Sequence, residues 1–178
     1  MKYRRLYVPN RIVFITVVTS KRRELLIDNI ELLKYSITNA HKYYNFSILA
    51  ICVLKDHMHF LLQPENIKDY SKIITLIKRT FSKNIDIDKI KDYNLSPSNI
   101  KRKERDIWQR RFWEHTIRDE NDLYKHMDYI HFNSQKHYRI APKDWKYSSF
   151  ENYAKKGWYE IDWCNFGDKY EIEKLNYE

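Results

Sequence analysis

Two histidines separated by one residue, His57 and His59, are the most distinctive chemical feature of the sequence. They lie in an apolar run that predicts a β-strand, and residues two apart in a strand point to the same face. Their backbones are therefore roughly 7 Å apart, a spacing that lets both imidazoles bind one divalent metal ion. The same pattern is also compatible with a histidine pair that makes ordinary hydrogen bonds.

A third metal ligand has to come from elsewhere in the chain, because catalytic metal sites usually have three protein ligands and an open position. No histidine occurs in the six residues after His59. A predicted helix over residues 120–136 offers Tyr129 and Asn133, which are four apart and share a face. An asparagine amide oxygen suits Mg²⁺ or Mn²⁺. Alternatively, Tyr129 is an aromatic at the edge of the core and Asn133 is the C-cap of the helix.

His126 lies three residues before Tyr129 and therefore on the same predicted helix face. From a second layer around the site, it could orient the tyrosine or the ion. It could equally be a solvated histidine on the outside of the helix. Both interpretations stay open at the level of sequence.

Cationic and aromatic residues are concentrated between Lys101 and Trp113. Cations hold phosphates and aromatic rings stack on unpaired bases, so this segment predicts a surface for single-stranded nucleic acid. A solvated, charged loop is the alternative. The residues expected to contact DNA are Arg4, Arg5, Arg22, Arg23, Lys78, Arg79, Arg102, Lys103, Arg105, Trp108, Arg110 and Arg111.

Composition agrees with a polyanionic partner and with a folded domain. The 178 residues include 33 Lys and Arg against 24 Asp and Glu, a net charge of +9 that favours nucleic acid. The hydrophobic fraction of 43% argues against disorder. Two cysteines, Cys52 and Cys164, are too few for a disulfide framework. No apolar stretch suggests a signal peptide or a membrane span, so the expectation is a cytoplasmic protein with no membrane partner.

The elements that must position these residues follow the order β-α-β-β-α-β-α. This order predicts an α+β fold of the ferredoxin-like, split βαβ type, with a central antiparallel sheet and helices on one face. The histidine strand would lie centrally in that sheet.

A polar segment over 86–105 is expected to be a long, mobile loop. Residues 1–140 are expected to form the catalytic domain, and 141–178 a C-terminal extension packed on or near it. Strands are expected over residues 12–19, 46–54, 57–62 and 112–117, and helices over 28–44, 70–85 and 120–136.

Together these pieces resemble one family, the REP-associated tyrosine transposases of the HUH single-tyrosine (IS200-like) superfamily. The resemblance covers roughly residues 2–163, and its parts are specific only in combination. They are Tyr3-Arg4-Arg5, TVVTSKRR at 16–23, Asp56-His57-Met58-His59, IWQRRFWEH at 107–115, IRDENDLYKHMDYIHFN at 117–133 and DWKYSSF at 144–150.

The resemblance implies a specific activity and a role for each site residue. His57 and His59 would be the HUH metal ligands, Asn133 the third ligand of Mg²⁺ or Mn²⁺, and Tyr129 the nucleophile. The enzyme would nick and rejoin single-stranded DNA next to palindromic repeat hairpins through a 5′-phosphotyrosine intermediate. It would work at the nucleoid, as a monomer or a homodimer. The chain departs from the family at Lys55 and Ser134, where proline is usual.

A different class of function is a non-catalytic single-stranded nucleic-acid-binding protein derived from a transposase. Binding without metal-dependent cleavage would distinguish that protein from the enzyme. Rolling-circle initiators and relaxases use related chemistry, but they often place a third histidine shortly after the pair, and this chain does not.

Overall fold

A four-stranded antiparallel sheet organises the part of the chain that the computed structural model describes, residues 11–91 and 93–164. The strand order is β2-β3-β1-β4, so the histidine strand is central, as predicted. Arg4 and Arg5 lie outside the described residues. The strands are β1 (Val13–Val18), β2 (Phe46–Val53), β3 (His57–Pro64) and β4 (Trp113–Thr116).

Helices cover both faces of this sheet. The expected α+β class is confirmed, and the expected placement of helices on one face holds for the first two only. The third long helix packs on the opposite face. The helices are α1 (Ile30–His41), α2 (Tyr70–Asn84), α3 (Pro97–Lys101), α4 (Glu120–Tyr138) and α5 (Phe150–Lys155).

The sequence of β1 explains why two helical layers are needed. All six residues of this strand are buried, and alternate side chains point to opposite faces. Val13 and Ile15 join the core shared with α1 and α2, whereas Phe14 joins the core shared with Met127 and Ile130 of α4. Each fully buried aliphatic side chain contributes about 1.5–3 kcal/mol. A strand that is apolar on both sides therefore requires a cover on both sides.

The helix α4 has a capped first turn and a defined C-terminal end, and these set which residues are helical. Asp119 is its N-cap and accepts a hydrogen bond from the backbone N–H of Asp122, a role that aspartate commonly has at the start of a helix. The helix ends beyond the predicted residue 136, at Arg139, which has a left-handed backbone (φ 59°) and donates its N–H to the carbonyls of Gln135 and Ser134. Two more residues, His137 and Tyr138, are therefore helical.

The segment 86–105 was expected to be a loop, and in its described part it contains helical turns. Ser96 caps α3 by accepting a hydrogen bond from the N–H of Asn99, and Pro97 occupies the first helical position. Arg105 donates to the carbonyls of Ser82 and Lys83 at the end of α2. A helix cap and the hydrogen bonds of Arg105 thus give this segment its structure. The sequence did not predict it because the segment has no hydrophobic periodicity.

The C-terminal part lies along the outer edge of β2. The N–H of Val53 donates to the carbonyl of Tyr147, and the N–H of Ser149 donates to the carbonyl of Ile51. Tyr153 of α5 donates its hydroxyl to the carbonyl of Leu49. The extension therefore packs on the sheet through residues 147–153, while the domain division at residue 140 stays a prediction. Among the described residues, no helix is long and apolar enough to cross a bilayer.

Candidate active site

The two histidines of β3 are buried and held in fixed orientations through their Nδ1 atoms. His57 Nδ1 lies 2.6 Å from a carboxylate oxygen of Asp56, and His59 Nδ1 lies 2.8 Å from the hydroxyl of Thr16 on β1. A metal-binding histidine commonly donates its other ring N–H to such a partner, which fixes the tautomer and orients the ring. Nε2 is then the atom of each ring that can bind a metal.

Asp56 suits this orienting role because it stays ionised. Burial alone would raise the pKa of its carboxyl group, but hydrogen bonds and charge interactions with His57 and Arg22 hold that pKa below its ordinary value. The guanidinium of Arg22 lies 3.1 Å from the carboxylate. An ionised Asp56 accepts the Nδ1–H of His57, so the lone pair of that ring lies on Nε2.

Asn133 presents its amide oxygen to the interior. The residue is fully buried, and its side-chain N–H₂ donates to the carbonyl of Tyr129 one turn earlier. Its Oδ1 is buried and accepts no hydrogen bond within the described residues. Since α4 continues to Tyr138, Asn133 is inside the helix and is not its C-cap. A buried oxygen with no hydrogen-bond donor is suited to bind a cation.

Tyr129 lies between α4 and the sheet, next to the histidines. Its side chain is fully buried, with its ring centroid 5.2 Å from that of His59 and 5.9 Å from that of Phe14. Lys136 places its ammonium nitrogen 3.3 Å from the Tyr129 hydroxyl oxygen. Tyr129 therefore lies inside the core and not at its edge, and its hydroxyl group lies beside a cation.

The arrangement of the two imidazoles fits a shared metal ion. With a metal–nitrogen bond of about 2.1 Å, each ring centroid would lie roughly 3.3 Å from the ion, and two rings on adjacent coordination positions would have centroids roughly 4.7–5.4 Å apart. The centroids of His57 and His59 are 4.9 Å apart, with an interplanar angle of 87°. Two imidazole nitrogens and an amide oxygen are also a donor set that Mn²⁺ or Mg²⁺ accepts.

His126 faces a second polar cluster, next to β4. Its Nδ1 lies 2.7 Å from the carbonyl oxygen of Asp122 and 3.3 Å from that residue's carboxylate. Its ring stacks on His115, with centroids 4.7 Å apart, and lies 4.8 Å from Phe14. Burial lowers the pKa of His126, so its ring is neutral at pH 7. A role for His126 behind the active site stays a prediction.

Asp122 holds this second cluster together. Its carboxylate lies 2.8 Å from His115 Nε2 and 3.1 Å from Arg118 Nε, and it also accepts the N–H of Arg118. Burial raises the pKa of the carboxyl group, but these partners lower it more, so the net pKa is well below its ordinary value. The three side chains His115, Asp122 and His126 each offer a ligand atom within 4.8 Å of the others. Sequence reasoning missed His115 and Asp122.

Several of the residues predicted to contact DNA line one groove between α2 and the segment before β4. The groove has a volume of about 880 Å³. Burial lowers the pKa of Lys78 in its wall to about 8. Arg22, Arg23, Arg102 and Arg111 are not among the groove residues. The predicted residues that line it are Lys78, Arg79, Lys103, Arg105, Trp108 and Arg110.

Three of the predicted DNA contacts instead support the fold. Trp108 is only 8% exposed, packs on Phe81 with ring centroids 5.1 Å apart and donates its indole N–H to the carbonyl of Lys78. It cannot offer its ring to a base in this arrangement. Arg23 forms an ion pair of 2.7 Å with Asp106, and both side chains are mostly buried. Arg105, as described above, holds the end of α2.

Trp113 is the neighbouring tryptophan with an accessible ring. It is 37% exposed and lies on β4, where its ring packs edge-on against Phe14 at 5.5 Å between centroids. Phe14 also contacts Tyr129, so Trp113 lies on the same face of the sheet as the candidate active site. The alternation of side chains along β4 is the sequence signal that points its ring to this face.

Comparison with known proteins assigns the family. Residues 8–133 match the family described as Transposase IS200 like. A REP-associated tyrosine transposase of Haemophilus influenzae is 39% identical over 164 residues, which are 90% of this chain and 92% of the relative. A REP-associated tyrosine transposase of Escherichia coli is 33% identical over 166 residues, 92% of this chain and 90% of the relative.

A solved structure of a related protein agrees with this assignment. A REP-associated tyrosine transposase bound to a REP hairpin superposes with a TM-score of 0.75 at 32% identity, covering 93% of this chain and 92% of that chain. The chain belongs to the IS200-like transposase family. Within that family its relatives are REP-associated tyrosine transposases, which confirms the resemblance seen in the sequence motifs.

Proposed function

We propose that this protein is a metal-dependent single-stranded DNA endonuclease and strand transferase that acts next to palindromic repeat hairpins. The observation that carries the proposal is the position of Tyr129 beside His59, at 5.2 Å between ring centroids, in an IS200-like transposase. The helix that carries Tyr129 also carries Asn133, so the nucleophile and the third ligand are held in one rigid element.

His57, His59 and Asn133 are the residues that would hold the divalent cation, Mg²⁺ or Mn²⁺. When bound, the cation supplies polarisation of the scissile phosphate and neutralises charge on it. The protein contributes two imidazoles oriented by Asp56 and Thr16 and one inward-facing amide oxygen. All of these groups come from one chain, so we propose that a monomer can carry out the cleavage.

Tyr129 would act as the nucleophile. Its phenolic oxygen forms a bond to phosphorus while the bond between phosphorus and the 3′ oxygen breaks. The phenolic proton passes to water, and the departing 3′ oxygen takes up a proton to become a free 3′-OH. The 5′ phosphate stays on Tyr129 as a phosphodiester, so attack by a 3′-OH can rejoin the strand with no other energy source.

Lys136 would assist this step by stabilising negative charge on the phenolic oxygen. A free phenol ionises only near pH ~10, so a cation beside it helps at neutral pH. The ammonium group lies 3.3 Å from that oxygen before DNA binds. Lys136 is partly accessible whereas Tyr129 is fully buried, so the ammonium also marks the side from which a phosphate can approach.

The proposed partner is single-stranded DNA that contains a hairpin or palindromic repeat. A related protein was solved bound to a REP hairpin, and the net charge of +9 favours a polyanion. A protein with this partner would act in the cytoplasm, at the nucleoid. We propose direct DNA contacts for the exposed cations among the predicted set, namely Arg22, Arg79, Arg102, Lys103, Arg110 and Arg111, and for the half-buried Lys78 in the groove wall. Arg4 and Arg5, outside the described residues, belong to the same proposed set.

The decisive experiment incubates labelled hairpin-bearing single strands with the wild-type protein or Tyr129→Phe, plus Mg²⁺ or Mn²⁺, and resolves the products on a denaturing gel. The hairpins come from repeats that flank the source gene. We expect a covalent protein–DNA band in the wild type only. An adduct that persists in Tyr129→Phe would remove Tyr129 from the role of nucleophile.

A second candidate is a repeat-binding protein without nuclease activity. The complete burial of Tyr129, at 0% exposure, favours it, because DNA cannot reach the hydroxyl without some movement of the surroundings. Tight hairpin binding by the wild type with no adduct under either metal would establish this alternative.

A further inference from the structure

His137 contacts one of the proposed metal ligands and has no role in the function proposed so far. It lies four residues after Asn133 on α4, so the two side chains share a helix face. Its ring centroid is 4.9 Å from that of His57, with an interplanar angle of 74°. A residue from the end of the helix thus reaches the same strand as the histidine pair.

The geometry of this contact matches that of the proposed ligand pair, His57 and His59. His57 and His59 have centroids 4.9 Å apart at 87°, and His57 and His137 have the same separation at 74°. Both values lie within the roughly 4.7–5.4 Å that two imidazoles on adjacent positions of one ion would have with bonds of about 2.1 Å. Ordinary edge-to-face packing of aromatic rings allows centroid separations of about 4.5–7 Å. A second observation is therefore needed to distinguish a shared metal ion from aromatic packing.

The burial of one atom supplies that observation. His137 is only half-buried as a residue, yet its Nε2 is shielded from solvent. The ring therefore directs Nε2 toward the interior and not toward solvent. Because the Nδ1 of His57 faces Asp56, the Nε2 of that ring points away from this carboxylate.

The end of α4 adds an electrostatic reason for a cation here. His137 lies in the last turn of a 19-residue helix that stops at Arg139. The carbonyl end of a helix carries a partial negative charge of about half an electron, which favours a nearby cation. The left-handed backbone of Arg139 also fixes where the helix ends, and this holds His137 in position.

We propose that His137 is a fourth protein ligand of the divalent ion, through Nε2, together with His57, His59 and Asn133. This inference rests on the proposed function and adds a metal preference to it. Three imidazoles and one amide oxygen form a nitrogen-rich donor set. Such a set favours Mn²⁺ over Mg²⁺, because Mg²⁺ prefers oxygen ligands and gives up its water reluctantly.

The test measures metal binding to the full chain without DNA. Mn²⁺ and Mg²⁺ affinities are determined by calorimetry for the wild type, His137→Ala, His137→Gln and the control His41→Gln, whose histidine lies on α1 against Phe46. We expect both His137 substitutions to weaken Mn²⁺ binding by ~10-fold or more, on the scale of losing a group that supports a metal site. The Mg²⁺ affinity should fall less, and the control should match the wild type.

Unchanged Mn²⁺ affinity in folded His137 variants, checked by their thermal melting, would overturn the inference. Pulsed electron paramagnetic resonance of Mn²⁺ in the wild type needs no variant, because it counts coupled imidazole nitrogens. Three histidine rings support the proposal and two overturn it. A wild type that forms the covalent adduct with two rings refutes only the role of His137. A wild type that binds Mn²⁺ through three rings without forming an adduct refutes only the nuclease.

Discussion

The ammonium nitrogen of Lys136 lies 3.3 Å from the phenolic oxygen of Tyr129, two turns earlier on the same helix. The same nitrogen lies 5.0 Å from the centre of the tyrosine ring. A cation is thus placed against the atom that would carry negative charge during attack, and it is held there by the geometry of one helix.

Replacing Lys136 should slow the formation of the covalent adduct. A hydrogen bond to a charged group contributes about 1.5–3 kcal/mol, so Lys136→Met should reduce the single-turnover rate by ~10–100-fold. Lys136→Arg should retain part of the rate because it keeps the charge. Hairpin affinity measured in parallel separates the two roles: a loss of affinity equal to the loss of rate would mean that Lys136 only binds DNA.

Removal of the metal should stop cleavage and spare DNA binding. We expect EDTA to abolish the adduct, and added Mn²⁺ to restore it, while hairpin affinity changes by less than ~3-fold because phosphate contacts come mainly from lysine and arginine. Asn133→Ala should raise the metal concentration needed for half-maximal cleavage. Cleavage that continues at full rate in EDTA would exclude a metal ion from the reaction.

Asp122 should make stability depend on pH in acid. Its folded-state pKa is below the ordinary value because Arg118 and His115 stabilise the carboxylate against the effect of burial. The stabilisation is therefore complete above about pH 4, the pKa of an unfolded aspartate, and is lost as pH falls toward the folded pKa. We expect Asp122→Asn to cost about 1–3 kcal/mol in urea unfolding at pH 7 and to reduce the pH dependence below pH 4. Equal free energies of unfolding at pH 7 would contradict this assignment.

The two tryptophans at 108 and 113 should have different roles. Stacking of one base on an aromatic ring contributes about 1–3 kcal/mol, so Trp113→Ala should weaken the binding of single-stranded DNA by ~5–100-fold with little change in melting temperature. Trp108→Ala should instead destabilise the fold by about 3–5 kcal/mol, because it empties a buried site next to Phe81. If Trp113→Ala binds DNA like the wild type, its ring does not contact the strand.

The sequence predicted those features that depend on short-range periodicity. The spacing of His57 and His59 places both on one face of a strand, and the spacing of Tyr129 and Asn133 places both on one face of a helix, whatever the tertiary structure. The class of fold followed from the order of strands and helices. Both residue pairs are brought together where β3 meets α4.

Features that depend on contacts between distant segments were not predicted. The helix α4 was expected to end at residue 136, one residue before His137, and the contact of His137 with His57 joins positions 80 residues apart. Trp108 forms a backbone bridge with Thr19 and packs on Phe81, and no local pattern in the sequence shows these contacts. The sequence also did not show which face of the sheet α4 covers. That face is set by the burial of β1 on both sides, and in the sequence β1 is only an apolar run.

The backbone pairing of residues 147–149 with β2 has a consequence for how the protein behaves in solution. Without those residues, the outer edge of β2 would display unpaired N–H and C=O groups beside an apolar face, which is a template for strand addition by another molecule. The extension covers this edge with its own backbone and with the hydroxyl of Ser149. By covering the edge of β2, residues 147–149 therefore also protect the sheet from aggregation through strand addition.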